Sequence, residues 1–208
     1  MNILISTVYF GPVQYYLSIF SAQQVIIEGM EHFPKQTYRN RCVVYGANGP
    51  LTLTVPVIRG NLLKKLTKDI RIDYSCNWQK NHLRAIESAY RNSPYYEFYI
   101  DEIMRFFNQH FNFLFDYNIE ILLKTCEMIG LPINLSITEV FQKTIPNDCL
   151  DLRFNIHPKR QKVYDNQSLK LPVYRQVFEP KSGFIENLSI LDLIFNTGPD
   201  AIRYLRTS

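Results

Sequence analysis

The sequence lacks the short motifs that mark the most familiar enzyme classes. It has no GxSxG elbow of an α/β-hydrolase, no Walker A glycine loop and no GxGxxG dinucleotide fingerprint. Its four cysteines and four histidines are scattered, without a CxxC pair, so the sequence predicts no metal site. These absences exclude the simplest hydrolase, nucleotide triphosphatase and dehydrogenase interpretations, and they leave the need for a cofactor unknown.

Long apolar segments are also absent. No stretch approaches the ~18–20 apolar residues that a membrane-spanning helix requires. The first residues, MNILISTVYFGPVQYY, carry no basic segment ahead of the apolar run, which argues against a secretory signal peptide. We therefore expect a cytoplasmic protein without a membrane span, whose cysteines are unpaired thiols.

The sequence does contain ample material for a hydrophobic core. Of its 208 residues, 46% are hydrophobic, and the aromatic residues include 14 Tyr and 14 Phe. A chain of this length and composition can bury a large core, so we expect one domain over residues 1–208. Tyrosine has a flat face and a hydroxyl, which suit the rim of a core and equally a polar ligand pocket.

The net charge of +4 is modest but unevenly distributed. Between Arg153 and Lys181 the chain has seven basic residues and two acidic ones. This basic segment can be interpreted as a solvated surface loop or as an anion-binding region. Nucleic acid is not a predicted partner, because no helix–turn–helix, RNP-type or zinc-finger pattern accompanies the charge.

The first third of the chain has the pattern of β-structure. Its first apolar run ends before Gly11-Pro12, a typical turn dipeptide. The later LTLTV segment alternates with period two and follows Asn48-Gly49, which favours a hairpin. The predicted strands are residues 1–8, 24–28, 70–73 and the two arms of a hairpin over 41–57, with a short helix over 15–20.

After Trp78 the pattern becomes helical for about fifty residues. Leu83, Ile86 and Tyr90 have the spacing of one buried helix face, and His82 borders that face. A second helix should follow Pro94, and a third should be capped by Asp116 or Asn118 and end at Gly130. A further helix should begin near Asn187 and break at Gly198-Pro199, before a short last helix. The predicted class is α/β, with α+β as the alternative: an N-terminal mixed sheet with a hairpin, and a mainly helical half packed on it.

The densest group of polar side chains lies in KQTYRNR, residues 35–41. Lys35, Arg39, Asn40 and Arg41 could hold a phosphate or carboxylate through charge-assisted hydrogen bonds. The alternative is a solvated entry to a strand with surface ion pairs.

His82 is the best acid/base candidate, since histidine titrates near neutral pH and this one shares a helix face with Tyr90. Burial and nearby cations would both lower its pKa and favour the neutral, basic form. A lone histidine at the border of a core is also commonly structural, so both interpretations stay open.

Several spaced motifs resemble the WbqC-like family of bacterial surface-polysaccharide proteins. They are VYFGPVQYY, KQTYRNRC, LTLTVPV, HLRAIESAYRNSPYYEFY after Trp78, FNFLFDYN, IHPKR, YRQVF and NLSILDLIFNTGPDAIRYL. They occur in one order over essentially the whole chain. One departure is that Ser6-Thr7 stand where many members of the family have Gln-Pro.

The resemblance implies a role in O-antigen or other surface-glycan production. It suggests transfer of an amino-acid or acyl group, such as glycine, to a sugar or sugar nucleotide. On that reading His82 is the catalytic residue, and a small-molecule sugar or acyl donor binds Tyr9, Lys35, Arg39, Asn40, Arg41 and Tyr90. The alternative is a non-catalytic partner or scaffold of a glycan-assembly system, which would scatter these residues over a convex face.

Overall fold

The chain forms a parallel sheet, a separate hairpin and a set of helices. A computed structural model describes residues 1–58, 60, 65–159 and 171–206. Four charged residues of the basic segment, Arg160, Lys162, Asp165 and Lys170, lie outside the described residues. The strands are β1 (Asn2–Ile5), β2 (Gln24–Ile27), β3 (Arg41–Gly46), β4 (Gly49–Thr54), β5 (Leu135–Ile137) and β6 (Cys149–Asp151). The helices are α1 (Val13–Phe20), α2 (Trp78–Tyr90), α3 (Tyr96–Asn108), α4 (Leu114–Met128), α5 (Glu179–Ser182), α6 (Ile190–Thr197) and α7 (Ala201–Arg206).

The parallel sheet has the strand order β5-β2-β1-β6. Ile3 pairs with Val25 on one side and with Leu150 on the other, so β1 is a central strand. Apolar residues dominate β1 because both of its faces are covered, and Ile3, Leu4 and Ile5 are all at most 3% exposed. Helix α1 connects β1 to β2, its parallel neighbour, as a crossover between parallel strands must.

Strands β3 and β4 form an antiparallel hairpin apart from the parallel sheet. Only two residues, Ala47 and Asn48, separate the strands. Gly49 has φ +109°, a conformation that a side chain disfavours. Leu53 and Val55 are buried while Thr52 and Thr54 are exposed, as the period-two pattern predicts.

Two hydrophobic cores share helices α4 and α6. The first core lies against the parallel sheet and receives Leu122 from α4 and Ile194 from α6. The second lies between the hairpin and helices α2 and α3, and receives Tyr117 from α4 and Phe195 from α6. These two helices are therefore apolar on more than one face, since each contributes to both cores.

The predicted α/β class is confirmed, with both parallel and antiparallel strand pairs. Three details of the prediction were wrong. Residues 70–73 make only isolated bridges, Val57 to Ile72 and Arg71 to Phe113. Helix α4 begins at Leu114, upstream of the caps proposed for it. The sheet also takes β5 and β6 from a region where the sequence predicted no strand.

No helix within the described ranges is long and apolar enough to span a membrane. The four cysteines are all free thiols, as the sequence predicted.

Candidate functional site

All four parallel strands end at the same edge of the sheet, where polar side chains follow them. Ser6 follows β1, Glu28 follows β2, Thr138 follows β5 and Arg153 lies two residues after β6. Parallel strands bring their carboxyl ends together, and α/β proteins usually bind ligands there. This edge of the sheet is the candidate site.

Glu28 connects three of these chain segments through its carboxylate. Its Oε1 accepts hydrogen bonds from the Thr138 hydroxyl at 2.6 Å and the Met30 amide at 2.9 Å. Its Oε2 accepts from Arg153 Nη1 at 2.9 Å and the Gln142 amide at 3.1 Å. A carboxylate that is 0% exposed needs such partners, because burying a charge without them is costly.

Arg153 is bound on several sides. Its Nε and Nη2 donate to the two carboxylate oxygens of Asp151 at 3.0 and 2.7 Å, and its Nη1 also donates to the Gln142 carbonyl. The hydrogen bond with Asp151 raises the pKa of Arg153, while burial opposes that change. The guanidinium carbon lies 4.9 Å from the centre of the Phe141 ring and 5.6 Å from that of Phe154.

A second buried ion pair joins Arg39 to Glu31, with side chains only 4% and 3% exposed. Arg39 Nε donates to Glu31 Oε1 at 2.6 Å, and Arg39 Nη2 donates to the Ser6 hydroxyl at 2.6 Å. The Ser6 hydroxyl donates to Glu31 Oε2 at 3.0 Å. Arg39 Nη2 also reaches the Arg153 carbonyl at 3.4 Å. We call Ser6, Glu28, Glu31, Arg39, Asp151 and Arg153 the carboxyl-edge network.

Hydrogen bonds to backbone carbonyls hold the chain around Arg39. Its carbonyl accepts a hydrogen bond of 2.7 Å from the amide of Asn118 in α4, and the Tyr38 carbonyl accepts one from the Tyr9 amide at 2.8 Å. Asn118 therefore positions the arginine and does not cap a helix. Among the described residues, Arg39 Nη1 makes no hydrogen bond, so its two N–H donors remain available.

A cavity of about 390 Å³ opens beside the two arginines. Its lining consists of Pro34, Thr37, Arg39, Arg153, Phe154, His157 and Lys159. A void of about 10 Å³ lies next to it, between Ser6 after β1 and Leu152 after β6. The chain leaves β1 toward β2 and later returns to β6 on the opposite side of β1. The void therefore lies where the strand order reverses, which is where open α/β sheets form their ligand crevices.

The outer wall of the cavity carries His157 and Lys159. The Lys159 amide donates to His157 Nδ1 at 3.1 Å, so Nδ1 is the accepting nitrogen of that ring. Together with Arg39 and Arg153, these residues bring cationic or N–H-donating groups to the wall of one cavity, suited to phosphate or carboxylate oxygens.

Comparison with known proteins agrees with the motif pattern. The profile of the WbqC-like protein family matches residues 7–162 and 159–204. The chain belongs to the WbqC-like protein family. This WbqC-like protein is also similar to "Uncharacterized protein Rv1507c" of Mycobacterium tuberculosis (strain ATCC 25618 / H37Rv), with 26% identity over 212 residues, covering 91% of this chain and 90% of that protein. No solved structure matches the chain.

In the WbqC-like protein the side chains of the RNR segment, residues 39–41, lie in different environments. Arg39 lines the cavity, whereas the Asn40 amide donates to the Val55 carbonyl at 2.9 Å and closes the base of the hairpin. Arg41 is half-buried, and its Nε makes no hydrogen bond among the described residues. Lys35 is exposed, outside the cavity lining. Of the four polar candidates in this segment, the structure brings Arg39 alone to the cavity.

His82 lies in the second hydrophobic core of the WbqC-like protein. It is 6% exposed, and its Nδ1 lies 2.9 Å from the hydroxyl of Tyr9, which is 0% exposed. Burial lowers the pKa of His82 to about 4, while a hydrogen bond with the Thr54 backbone opposes that shift. The ring is neutral at pH 7 and joins helix α2, the hairpin and the loop after β1. Neither His82 nor Tyr9 lines the cavity at the carboxyl edge.

Tyr90 is also buried away from that cavity. Its hydroxyl accepts a hydrogen bond from the Tyr45 amide at 3.1 Å. Next to it Asp192 is 0% exposed and accepts from the Tyr174 hydroxyl and the Gln176 amide, both at 2.8 Å. Burial raises the pKa of Asp192 to about 6, although hydrogen bonds from these side chains oppose the rise.

Sequence reasoning did not identify most of the residues that line or support the cavity. Glu28 directly follows an apolar strand, and Arg153 opens the basic segment. A charged residue at the end of a predicted buried strand is the pattern that could have indicated Glu28, whereas no strand was predicted before Arg153. The ion pair between Glu28 and Arg153 joins residues 125 positions apart, a separation that local patterns do not detect.

Proposed function

We propose that this WbqC-like protein is a group-transfer enzyme whose site is the cavity at the carboxyl edge of the sheet. The reaction is transfer of an acyl or amino-acid group, such as glycine, to a sugar or sugar nucleotide in bacterial surface-polysaccharide synthesis. The observation that carries the proposal is a cavity lined by Arg39 and Arg153, two buried arginines that residues following the parallel strands hold through hydrogen bonds. Family membership supports the choice of substrate class.

The roles follow from the donors in the cavity wall. Arg39 presents its Nη1 donors to a phosphate or carboxylate, and Lys159 adds a charge at the outer wall. His157 is better placed than His82 for proton transfer, because it lines the cavity. The carboxyl-edge network then serves to hold the two arginines rigidly.

A ligand screen read out by thermal unfolding tests the proposal. We expect at least one nucleotide sugar or acyl donor, among them acetyl-coenzyme A and aminoacyl compounds, to raise the melting temperature, since a ligand of the native state stabilises it. Mass spectrometry of a donor–acceptor mixture should then detect the transferred group on the sugar. A complete screen with neither stabilisation nor product would refute the proposed reaction.

Matched lysine variants locate the site. Lys159→Gln changes an exposed residue of the candidate cavity and should reduce the ligand-induced stabilisation. Lys80→Gln changes an exposed lysine in a different cavity of about 410 Å³ near the start of α2 and should leave it unchanged. The reverse result would place the ligand in that other cavity.

A further inference from the structure

Phe154 is an aromatic side chain held at the cavity wall while half of it remains in water. It is 52% exposed and lines the cavity together with Arg39 and Lys159. Single exposed apolar residues are common on protein surfaces, so exposure alone indicates nothing. The relevant observation is that this ring lines a cavity together with two buried arginines.

The brace for Phe154 is the guanidinium of Arg153. The guanidinium carbon lies over the Phe154 ring, 5.6 Å from its centre. Arg153 cannot follow a moving ring, because Glu28 and Asp151 bind it with four hydrogen bonds of 2.7 to 3.1 Å, one of them to its own backbone amide. A cation stacked on an aromatic face adds an attraction to that restraint. Phe154 is therefore a prepositioned platform.

Arg39 supplies a hydrogen-bond donor for an anion. Its side chain is only 4% exposed, yet its Nη1 makes no hydrogen bond among the described residues. The other nitrogens of the same guanidinium are held by Glu31 and Ser6. A buried guanidinium with one unused donor group at a cavity wall leaves that group for a ligand oxygen.

We propose that the cavity binds phosphorylated ring compounds, with the ring stacked on Phe154 and the phosphate held by Arg39 Nη1 and Lys159. Both a sugar ring, through its C–H face, and a nucleobase, through its π-face, can stack on phenylalanine. The shared chemistry is a flat or apolar ring joined to a phosphate. This inference deepens the proposed function and rests on it only for the location of the site.

Three probes separate the parts of the proposed ligand: pyrophosphate, glucose 1-phosphate and uridine diphosphate. Dissociation constants measured by calorimetry should be lower for at least one ring compound than for pyrophosphate. Phe154→Ala should weaken that ring compound by about tenfold and leave pyrophosphate unchanged. If Phe154→Ala weakens glucose 1-phosphate, the ring on Phe154 is a sugar; if it weakens uridine diphosphate, the ring is a base.

Two further variants serve as controls for charge and for exposed aromatic area. Lys159→Gln should weaken every phosphorylated probe by a similar factor. Phe98→Ala removes a phenylalanine that is 76% exposed on helix α3 and should change no affinity. Because Phe154, Lys159 and Phe98 are exposed side chains, all three variants should fold, which thermal unfolding without ligand verifies.

The inference is wrong if Phe154→Ala weakens pyrophosphate as much as the ring compounds, or if no ring compound binds better than pyrophosphate. Its failure is distinct from failure of the proposed reaction. Ring-selective binding without any transferred group would support this inference and contradict the proposed enzymatic reaction. Group transfer by the wild type, together with unchanged affinity of Phe154→Ala for the ring compounds, would support the enzymatic reaction and contradict stacking on Phe154.

Discussion

The carboxyl-edge network and the core around His82 are both buried and polar, but they handle charge in opposite ways. In the network, Arg39 and Arg153 are paired with carboxylates at hydrogen-bonding distance. In the core around His82, burial lowers the pKa of the histidine to about 4 and keeps the ring neutral at pH 7. Nearby, burial raises the pKa of Asp192 to about 6.

This difference fits the roles proposed for the two regions. Paired charges at the wall of a cavity keep fixed donors ready for a ligand, at the cost of removing ions from water. Single titratable groups surrounded by aromatic rings mainly satisfy hydrogen bonds between elements, as Tyr9 and His82 do. The location of polar residues relative to strand ends therefore separates a candidate site from a structural contact.

Removing one member of an ion pair should produce the largest loss of stability. Glu31→Ala leaves the buried guanidinium of Arg39 without its carboxylate, and we expect a loss of about 3–5 kcal/mol in the free energy of unfolding. Urea denaturation measures it. The control is Glu87→Ala, which breaks an exposed pair with Arg91 and should cost less than about 1 kcal/mol. Equal losses would mean that the two pairs do not differ as their burial indicates.

The second prediction concerns acid and His82. The folded state holds this ring with a pKa of about 4 against 6.5 for an ordinary histidine, so the unfolded chain binds more protons between these values. Stability should therefore fall as the pH drops from 6.5 to 4, by up to about 3 kcal/mol. The measurement is urea denaturation of the wild type and His82→Gln across this range. A difference that does not change with pH would contradict the assignment, and His32→Gln, at an exposed histidine, is the control.

Asp192 should act in the opposite direction over nearly the same range. Its folded pKa of about 6 exceeds the ordinary 3.8, so the folded state binds more protons in between. Its contribution is fully present below pH 3.8 and is lost as the pH rises through 6, a change of up to about 3 kcal/mol. Relative to Asp192→Asn, the wild type should become less stable between pH 4 and pH 6. Asp200→Asn, at an exposed carboxylate, should show no such trend.

The smallest effect concerns the hydroxyl that joins the loop after β1 to helix α2. Tyr9→Phe removes the partner of His82 Nδ1 at 2.9 Å and leaves that buried nitrogen unsatisfied. We expect a loss of about 1–2 kcal/mol, measured by urea denaturation at pH 7. Ligand affinity at the cavity should stay unchanged, because Tyr9 does not line it. A loss of affinity as large as that of Lys159→Gln would show that the two regions are coupled.

The features that the sequence predicted well have strong local patterns. The hairpin follows from LTLTV and its turn, and His82, Ile86 and Tyr90 all lie on the buried face of α2, as their spacing indicates. Strands β5 and β6 have three residues each, too few to show a period. The position of these strands depends on pairing with β2 and β1, which are distant in sequence.

The candidate site was predicted in part for a related reason. Arg39 was named because it lies in a dense cationic segment, and it does line the cavity. Its neighbours in space, Glu31 and Arg153, come from other segments. Glu31 was not identified, and Arg153 was noted only as the start of the basic segment. Arg39 and Asn40 lie in the turn before β3, and their side chains point to different regions: Arg39 bonds Glu31, whereas Asn40 bonds the Val55 carbonyl. Proximity in sequence therefore overestimated how much of this segment shares one site.

Both outer strands of the parallel sheet, within the described residues, are very short, and Glu28 binds the chain segments that follow them. Glu28 binds Thr138 just after β5 and Arg153 just after β6. If these two contacts were lost, β5 and β6 could detach from the sheet. Strands β1 and β2 would then expose unpaired backbone groups that can pair with other molecules and start β-aggregation. We therefore expect Glu28 to limit self-association. Glu28→Ala should yield insoluble material under conditions in which the wild type stays in solution.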